Sequence, residues 1–277
     1  MTIRKLERSD RAQAEVLWQE IFNDLPTFTT YYFDVRFEPE HSFGAFDGDR
    51  LIAMVLGRST PIRIEGAVRS ALLIAGVSTD PAYRGQGWMR ELMTRLIDHA
   101  RAAGFSCCYL HPVQESLYAS LGFRNGADAL AIRSDPNRAH KPFDLREGER
   151  LFDMLSVYNA LLASHDGMQL RDEAELKTVL KDYATEDART LIAYAEQRPV
   201  GYICWSENGT VFELLARCAP AYEALLDAAA ERAHAPLEAV VPTDCGIDGE
   251  RRCGMQYLVF DNAFRLPLQN GFCSLGY

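Results

Sequence analysis

The sequence predicts an α/β fold of two mixed-sheet domains in tandem, the second a degenerate copy of the first. Three observations predict it. Apolar runs of strand length alternate with one long run of helical period. Ala45–Leu56 (AFDGDRLIAMVL) aligns without gaps on Ala193–Cys204 (AYAEQRPVGYIC), so a strand, a polar turn with an arginine and a second strand occur twice. A polar, proline-containing seam, Ser134–Arg150, separates the halves. The separation of the copies is domain-sized, which points to a duplicated domain and not to a stack of short repeats.

In the first half, residues 10–22 read as a helix, with Ala14, Leu17, Trp18, Ile21 and Phe22 at helical spacing. Asp24–Glu40 is aromatic and predicted irregular. His41–Phe46 and Leu51–Arg58 read as strands around Asp47-Gly48-Asp49. Arg63–Glu65 and Arg69–Thr79 continue the sheet, and the wholly apolar Ala71–Val77 suits a central strand covered on both faces. Met89–Arg101 is a helix, with Met89, Leu92, Met93, Leu96, Ile97 and Ala100 on one face. Phe105–Leu110 is a strand, and Gln114–Leu121 a short helix closed by Gly122. In the second half, Thr210–Arg217, Leu237–Val241 and Gly254–Phe260 read as strands and Ala221–His234 as a helix.

The formal charge of −10, with no dense basic stripe, speaks against a nucleic-acid partner and suits a cationic one. No apolar run reaches membrane-spanning length, and the charged start MTIRKLERSDRAQAEVLW does not read as a signal peptide. A cytoplasmic location without membrane partners is therefore expected. The seven cysteines are odd in number and sit mostly in apolar runs, so reduced thiols are expected; their spacing, with His234, matches no metal-site pattern.

Chemistry is most legible in Val77–Met93 (VSTDPAYRGQGWMRELM). A strand ends at Val77-Ser78-Thr79, and Arg84-Gly85-Gln86-Gly87 then opens the long helix. The first amides of a helix lack acceptors, and its dipole favours an anion there. Glycines let the backbone approach a pyrophosphate closely. A nucleotide-triphosphate loop would need Lys-Ser or Lys-Thr after the last glycine, where Trp88-Met89 stands. A dinucleotide fingerprint would need a third glycine. A glycine-rich turn that merely starts a helix is the bland alternative.

The segment resembles the coenzyme A-binding motif R/Q-x-x-G-x-G/A of the GNAT acetyltransferases, here Arg84-Gly85-Gln86-Gly87-Trp88-Met89. Met89 departs from the last position. A large apolar residue there, followed by Arg90, Leu92 and Met93, resembles the Eis-like branch, in which a GNAT domain precedes a degenerate GNAT-like one. The resemblance implies a catalytic, acyl-CoA-binding domain at 1–140 and a degenerate domain at 150–277. That branch adds a third domain, for which 277 residues are expected to leave no room. It further implies that acetyl-CoA is the co-substrate, with no metal. The backbones of Val77, Ser78 and Thr79 would hold the thioester and pantetheine. Arg84, Gly85, Gln86, Gly87, Trp88 and Met89 would hold the pyrophosphate.

Transfer of an acetyl group to an amine needs a deprotonated amine, a stabilised oxyanion and a donor for the leaving thiolate. The resemblance gives the donor role to Tyr118, in Tyr118-Ala119-Ser120-Leu121-Gly122-Phe123. Ala71–Val77 carries no acid, so the base is open between His111, Glu115, a water chain and the terminal carboxylate of Tyr277, which reaches the active site in the Eis-like branch. Phe28, Tyr31, Tyr32 and Phe33 suit either an acceptor pocket or a core. The acceptor is a small-molecule or lysine amine, and homo-oligomerisation stays open. Two rival readings are a non-catalytic acyl-CoA-binding or regulatory protein and a scaffold for oligomer assembly.

Overall fold

In the computed structural model, which describes residues 1–138, 143–268 and 270–273, the chain forms two units. The first comprises Met1–Ile62, Val68–Asn125 and Met255–Leu266. The second comprises Arg63–Ala67, Gly126–Gly254 and Pro267–Tyr277. The first unit holds β1 (Thr2–Lys5), α1 (Arg11–Phe22), α2 (Pro26–Val35), β2 (Phe43–Asp47) and β3 (Arg50–Ser59). Two short strands follow, β4 (Ile62–Ile64) and β5 (Ala67–Arg69), and then β6 (Ala71–Thr79), α3 (Trp88–Ala102), β7 (Cys107–Leu110) and α4 (Glu115–Ala119). Its strands β1, β2, β3 and β6 pair antiparallel, and β7 pairs parallel to β6.

The face of this sheet that carries Ile52, Val55, Leu72 and Ile74 packs on Leu92, Met93, Leu96, Ile97 and Ala100 of α3. These helix residues lie on one stripe, as the period predicts. The other face packs on α1 and α2, where Met54 and Leu56 meet Leu17, Trp18, Tyr32 and Phe33. Helix α2 replaces the irregular segment expected between Asp24 and Glu40. Its β-branched and aromatic residues are poor helix formers. Pro26 at the first turn starts it, and burial holds it: the Trp18 ring centroid lies 4.7 Å from that of Tyr32 and 5.9 Å from that of Phe33.

Strands β4 and β5 form a separate two-stranded ribbon and do not continue the main sheet, as the sequence pattern suggests they would. Arg63 exchanges backbone bonds with Gly167 and Met168, so Arg63–Ala67 belongs with the second unit. Strand β6 is central and meets α3 on one face and α1 on the other, as its apolar sequence predicts, although its cover is incomplete. Leu72, Ile74 and Ser78 are buried, while Leu73, Ala75, Val77 and Thr79 remain half-exposed.

The second unit contains β8 (Arg124–Arg133, from Gly126), β9 (Asp144–Glu147), α5 (Leu151–Leu162), α6 (Glu173–Ala184), β10 (Arg189–Ala195), β11 (Arg198–Trp205), β12 (Val211–Ala216), α7 (Ala219–Ala233) and β13 (Glu238–Pro242). Strands β9 to β12 form an antiparallel sheet, with α7 on one face and α5 and α6 on the other. The order β1-α1-α2-β2-β3-β6-α3-β7 thus recurs as β9-α5-α6-β10-β11-β12-α7-β13. The aligned repeat falls on β2–β3 and β10–β11, with Arg50 and Arg198 each opening the second strand. Helices α5 and α6 lie where no element is predicted. Strand β9 lies inside the predicted seam; its short, charged sequence, Asp-Leu-Arg-Glu, shows no alternation to announce it.

The last strand, β14 (Glu250–Val259), returns to the first unit. Gln256–Val259 pair antiparallel with Leu110–Cys107. The units therefore do not divide at 140–150. The main part of the second, Gly126–Gly254, is inserted between Asn125 and Met255 of the first. Met255, Tyr257, Phe260 and Phe264 are buried, and each such side chain contributes about 1.5–3 kcal/mol. A chain ending at Gly254 should lose the ordered first unit, seen as lost α3 and sheet signal in far-UV circular dichroism. A fully cooperative, native-like melt of that truncated chain would contradict this.

Gly76 carries a second structural demand. Its φ is +56°, and a Cβ there would lie 2.7 Å from the Trp18 ring and 3.0 Å from Leu56. Gly76→Ala should cost about 1–3 kcal/mol from backbone strain alone, with the clash added. Urea denaturation measures the loss, and an unchanged midpoint would contradict it.

Candidate functional site

The site is built at the carboxyl ends of β6 and β7. These strands pair only through Ala71↔Cys107, Leu72↔Cys108 and Leu73↔Tyr109. Leu110 is then followed by His111-Pro112, and a proline cannot donate to a ladder. Beyond Leu73, β6 runs on to Thr79 without β7 beside it. Within that free stretch lies a bulge: Met54 faces Ser78 and Leu56 faces Ala75, so Val55 alone opposes Gly76 and Val77. The positive φ of Gly76 makes this turn of the backbone. Because the strands are parallel, both loops that follow leave from the same edge of the sheet, the edge where open α/β sheets hold ligands.

The loop after β6 is fixed on its inner side. The Asp80 amide donates to Ile52 O (2.8 Å), and its Oδ1 accepts from the Ala82 amide (2.8 Å). Asp80 also pairs with the Arg50 guanidinium, and the Tyr83 hydroxyl donates to Asp47 Oδ2 at 2.8 Å. The Arg84 Nε donates to Thr79 O at 3.3 Å. The outer side is open. Gly85 (φ +76°) and Gly87 (φ +87°) take left-handed conformations, and a Cβ on either would meet nothing within 4 Å. Gly87 is the N-cap of α3, so the first amides of that helix face this open space. Gln86 is exposed, and Trp88 and Met89 are half-buried against the core. The Trp88 Nε1 is buried without a partner among the described residues.

The loop after β7 leads to α4. Tyr118 is 7% exposed, and its ring lies 6.1 Å from Phe123 in an edge-to-face arrangement. Its hydroxyl forms no hydrogen bond among the described residues. Burial raises its pKa, so the phenol stays protonated and available as a donor. Gln256 Nε2 donates to Glu115 O at 3.4 Å, and Arg90 of α3 donates to Ser120 Oγ at 2.9 Å, which ties α4 down from two sides. His111 is exposed at its rim, yet desolvation by its surroundings lowers its pKa and favours the neutral imidazole. Glu115 is exposed.

The structure thus gathers Val77, Thr79, Arg84–Met89, His111 and Tyr118 on elements leaving one sheet edge. The Ser78 side chain, 4% exposed, is turned into the protein, which leaves only its backbone for contact. Phe28, Tyr32 and Phe33 are core residues packed about Trp18, and Tyr31 alone of the four is half-exposed. Tyr277 lies outside the described residues. Sequence reasoning missed the bulge, for which a glycine inside an apolar strand is the signal. It also missed the Asp80–Arg50 anchor, which carries no local signal because its partners are 30 residues apart.

The second unit has no counterpart to the open loop. There β12 passes through Arg217 to Cys218, the N-cap of α7, with Pro220 in the first turn and no glycine. Glu213 of β12 is sealed: its carboxylate pairs with Arg171 at 2.9 Å and accepts from the Tyr202 hydroxyl at 2.6 Å, both charged side chains being 1% exposed.

The sequence profile of the acetyltransferase (GNAT) domain family matches residues 2–126. The N-alpha-acetyltransferase RimI of Mycobacterium tuberculosis is 27% identical over 157 residues, 49% of this chain and 92% of that protein. Eis1 from Mycobacterium abscessus superposes with a TM-score of 0.69 at 16% identity, over 94% of this chain and 74% of that one. A protein of Enterococcus faecalis described as a probable N-acyltransferase gives 0.72 at 15% identity, over 93% and 72%. A putative acetyltransferase from Pyrococcus horikoshii gives 0.63 at 16% identity, over 98% and 94%. The tandem fold is shared along nearly the whole chain, and residues 2–126 belong to the GNAT acetyltransferase family.

Proposed function

We propose that this chain is an N-acetyltransferase that moves an acetyl group from acetyl-CoA to a primary amine by direct attack. The supporting observation is the parting of β6 from β7 beside a helix N-terminus that two glycines leave open. The parted strands leave a backbone edge free, and pantetheine is a chain of amides that such an edge can pair. The pyrophosphate then falls to the backbone of Arg84, Gly85, Gln86, Gly87, Trp88 and Met89. Asp80 in the same loop is neutralised by Arg50 and does not oppose an anion there. The co-substrate supplies the activated acyl thioester.

The chain's own groups do the rest. The backbones of Val77, Ser78 and Thr79 hold the pantetheine arm and aim its thioester. The bulge at Gly76–Val77 turns an amide out of the ladder, where it can donate to the carbonyl oxygen as charge develops. The Tyr118 hydroxyl protonates the departing sulfur. Neutral His111, at the mouth of the same cleft, can take the amine proton or pass it to water. The second unit, lacking the glycine-opened loop and with its Glu213 already paired, is a degenerate domain without a coenzyme A site of its own.

Acetyl-CoA turnover, read as free thiol release against a panel of amines, tests the whole reading; no release with any amine would overturn it. Gly87→Val places a β-branched residue at φ +87°, costing about 1–3 kcal/mol of stability. It should abolish acetyl-CoA binding while the far-UV spectrum persists, and calorimetric titration with unchanged affinity would remove the pyrophosphate assignment. Tyr118→Phe keeps the ring and removes the donor, so kcat should fall by about 10²–10⁴ with little change in acetyl-CoA affinity. A kcat within about twofold of the parent under rate-limiting chemistry would make Tyr118 a packing residue.

A further inference from the structure

Arg58 is a buried cation with no ion pair among the described residues. It stands near the end of β3 and is 6% exposed. Both terminal guanidinium nitrogens are shut off from solvent, and neither meets a hydrogen-bond partner among the described residues. The Glu38 carboxylate senses the charge of Arg58 but is engaged elsewhere. Its Oε2 accepts from the Ser59 amide at 2.8 Å and lies 3.9 Å from His41 Nε2. Buried polar groups are almost always paired, and an unpaired buried charge is among the costlier features a fold can carry.

The position of Arg58 says what it is for. It pairs in register with Leu73, the same residue at which β6 makes its last pair with β7, through Tyr109. Met54 and Leu56 belong to the α1/α2 core, so strand alternation puts Arg58 on that face, opposite α3. Tyr109 stacks on Tyr257, with centroids 5.6 Å apart and planes 13° apart, beside the same point. Arg58 therefore leaves β3 level with the closed end of the gap between β6 and β7, on the face opposite α3. Two free terminal nitrogens form a fork that matches a planar two-oxygen anion. One guanidinium balances the single charge of a carboxylate, whereas a phosphate monoester carries nearly two.

We propose that Arg58 binds a carboxylate on the amine acceptor, so that the acceptor class is amino acids and their carboxylate-bearing derivatives. This rests on the acetyl-transfer reading above and narrows it. Lysine and leucine would be acetylated in preference to lysinamide and leucinamide, because only the acids pair the guanidinium.

The test compares kcat/KM for each acid and its amide in the parent and in Arg58→Met, which keeps the stem and removes the charge. The parent should favour the acids by at least about tenfold, as loss of a charge-assisted pair predicts. Arg58→Met should lower activity on the acids at least about tenfold more than on the amides. It should also melt at or above the parent temperature, because no structural partner is orphaned. A parent without acid preference, or a variant that keeps it, overturns the proposal. If Arg58→Met does not fold, Arg58→Lys keeps the charge and loses the fork; an unchanged acid preference there also overturns it. If no amine of any kind is acetylated, the acetyl-transfer reading fails by itself. Calorimetric titration with lysine and leucine then decides the carboxylate site: binding lost in Arg58→Met supports it, and no binding to the parent overturns it.

Discussion

Strands β6 and β7 pair in parallel over three residues and then separate, and the loops at that edge inherit their positions from the separation. The ladder ends because Pro112 follows β7 so closely and because β6 bends at the Gly76 bulge. A backbone edge that would otherwise be closed is left free inside the sheet. The same bend is locked from behind by Trp18, which lies against Gly76, stacks among Phe22, Tyr32 and Phe33, and donates its indole N–H to Asp24 at 2.8 Å. Helices α1 and α2 thus bear on the reactive edge through one glycine and one indole, although neither helix carries a residue assigned to the chemistry.

The return of β14 has consequences of a different kind. The strand beside β7 arrives only after Gly126–Gly254 of the second unit have been traversed, and Gln256 on it holds the backbone of α4. Tyr118 is therefore positioned by residues more than a hundred places later in the sequence. Contacts of such separation are costly to close and slow to form. The insertion also explains why a unit with a recognisable family signature over residues 2–126 is incomplete at residue 126.

Two buried arginines, Arg171 and Arg58, differ in how they are satisfied. In the second unit, Arg171 and Glu213 neutralise each other, with Tyr202 donating to the acid and the Tyr158 ring 4.1 Å from the guanidinium. Removing one member of such a pair typically costs about 3–5 kcal/mol, since the other is left buried and alone. In the first unit, the terminal nitrogens of Arg58 meet no such partner among the described residues.

By itself the sequence determined the α/β class, the duplication, the α3 stripe and the glycine-opened start of that helix. These are local properties: periodicity, turn chemistry and the conformational freedom of Gly85 and Gly87 act over a few neighbouring residues. Tyr118 was singled out by the resemblance of its segment to that of the family, not by a local physical pattern. Tertiary structure alone decided the rest. Helix α2 forms against weak propensity because Phe28, Tyr32 and Phe33 gain burial on Trp18. Ribbon β4–β5 leaves the sheet because Arg63 finds its backbone partners at Gly167 and Met168. The Asp80–Arg50 anchor, the buried Arg58 and the return of β14 each depend on residues distant in the chain, and no local pattern of apolar spacing encodes which distant group a side chain will meet.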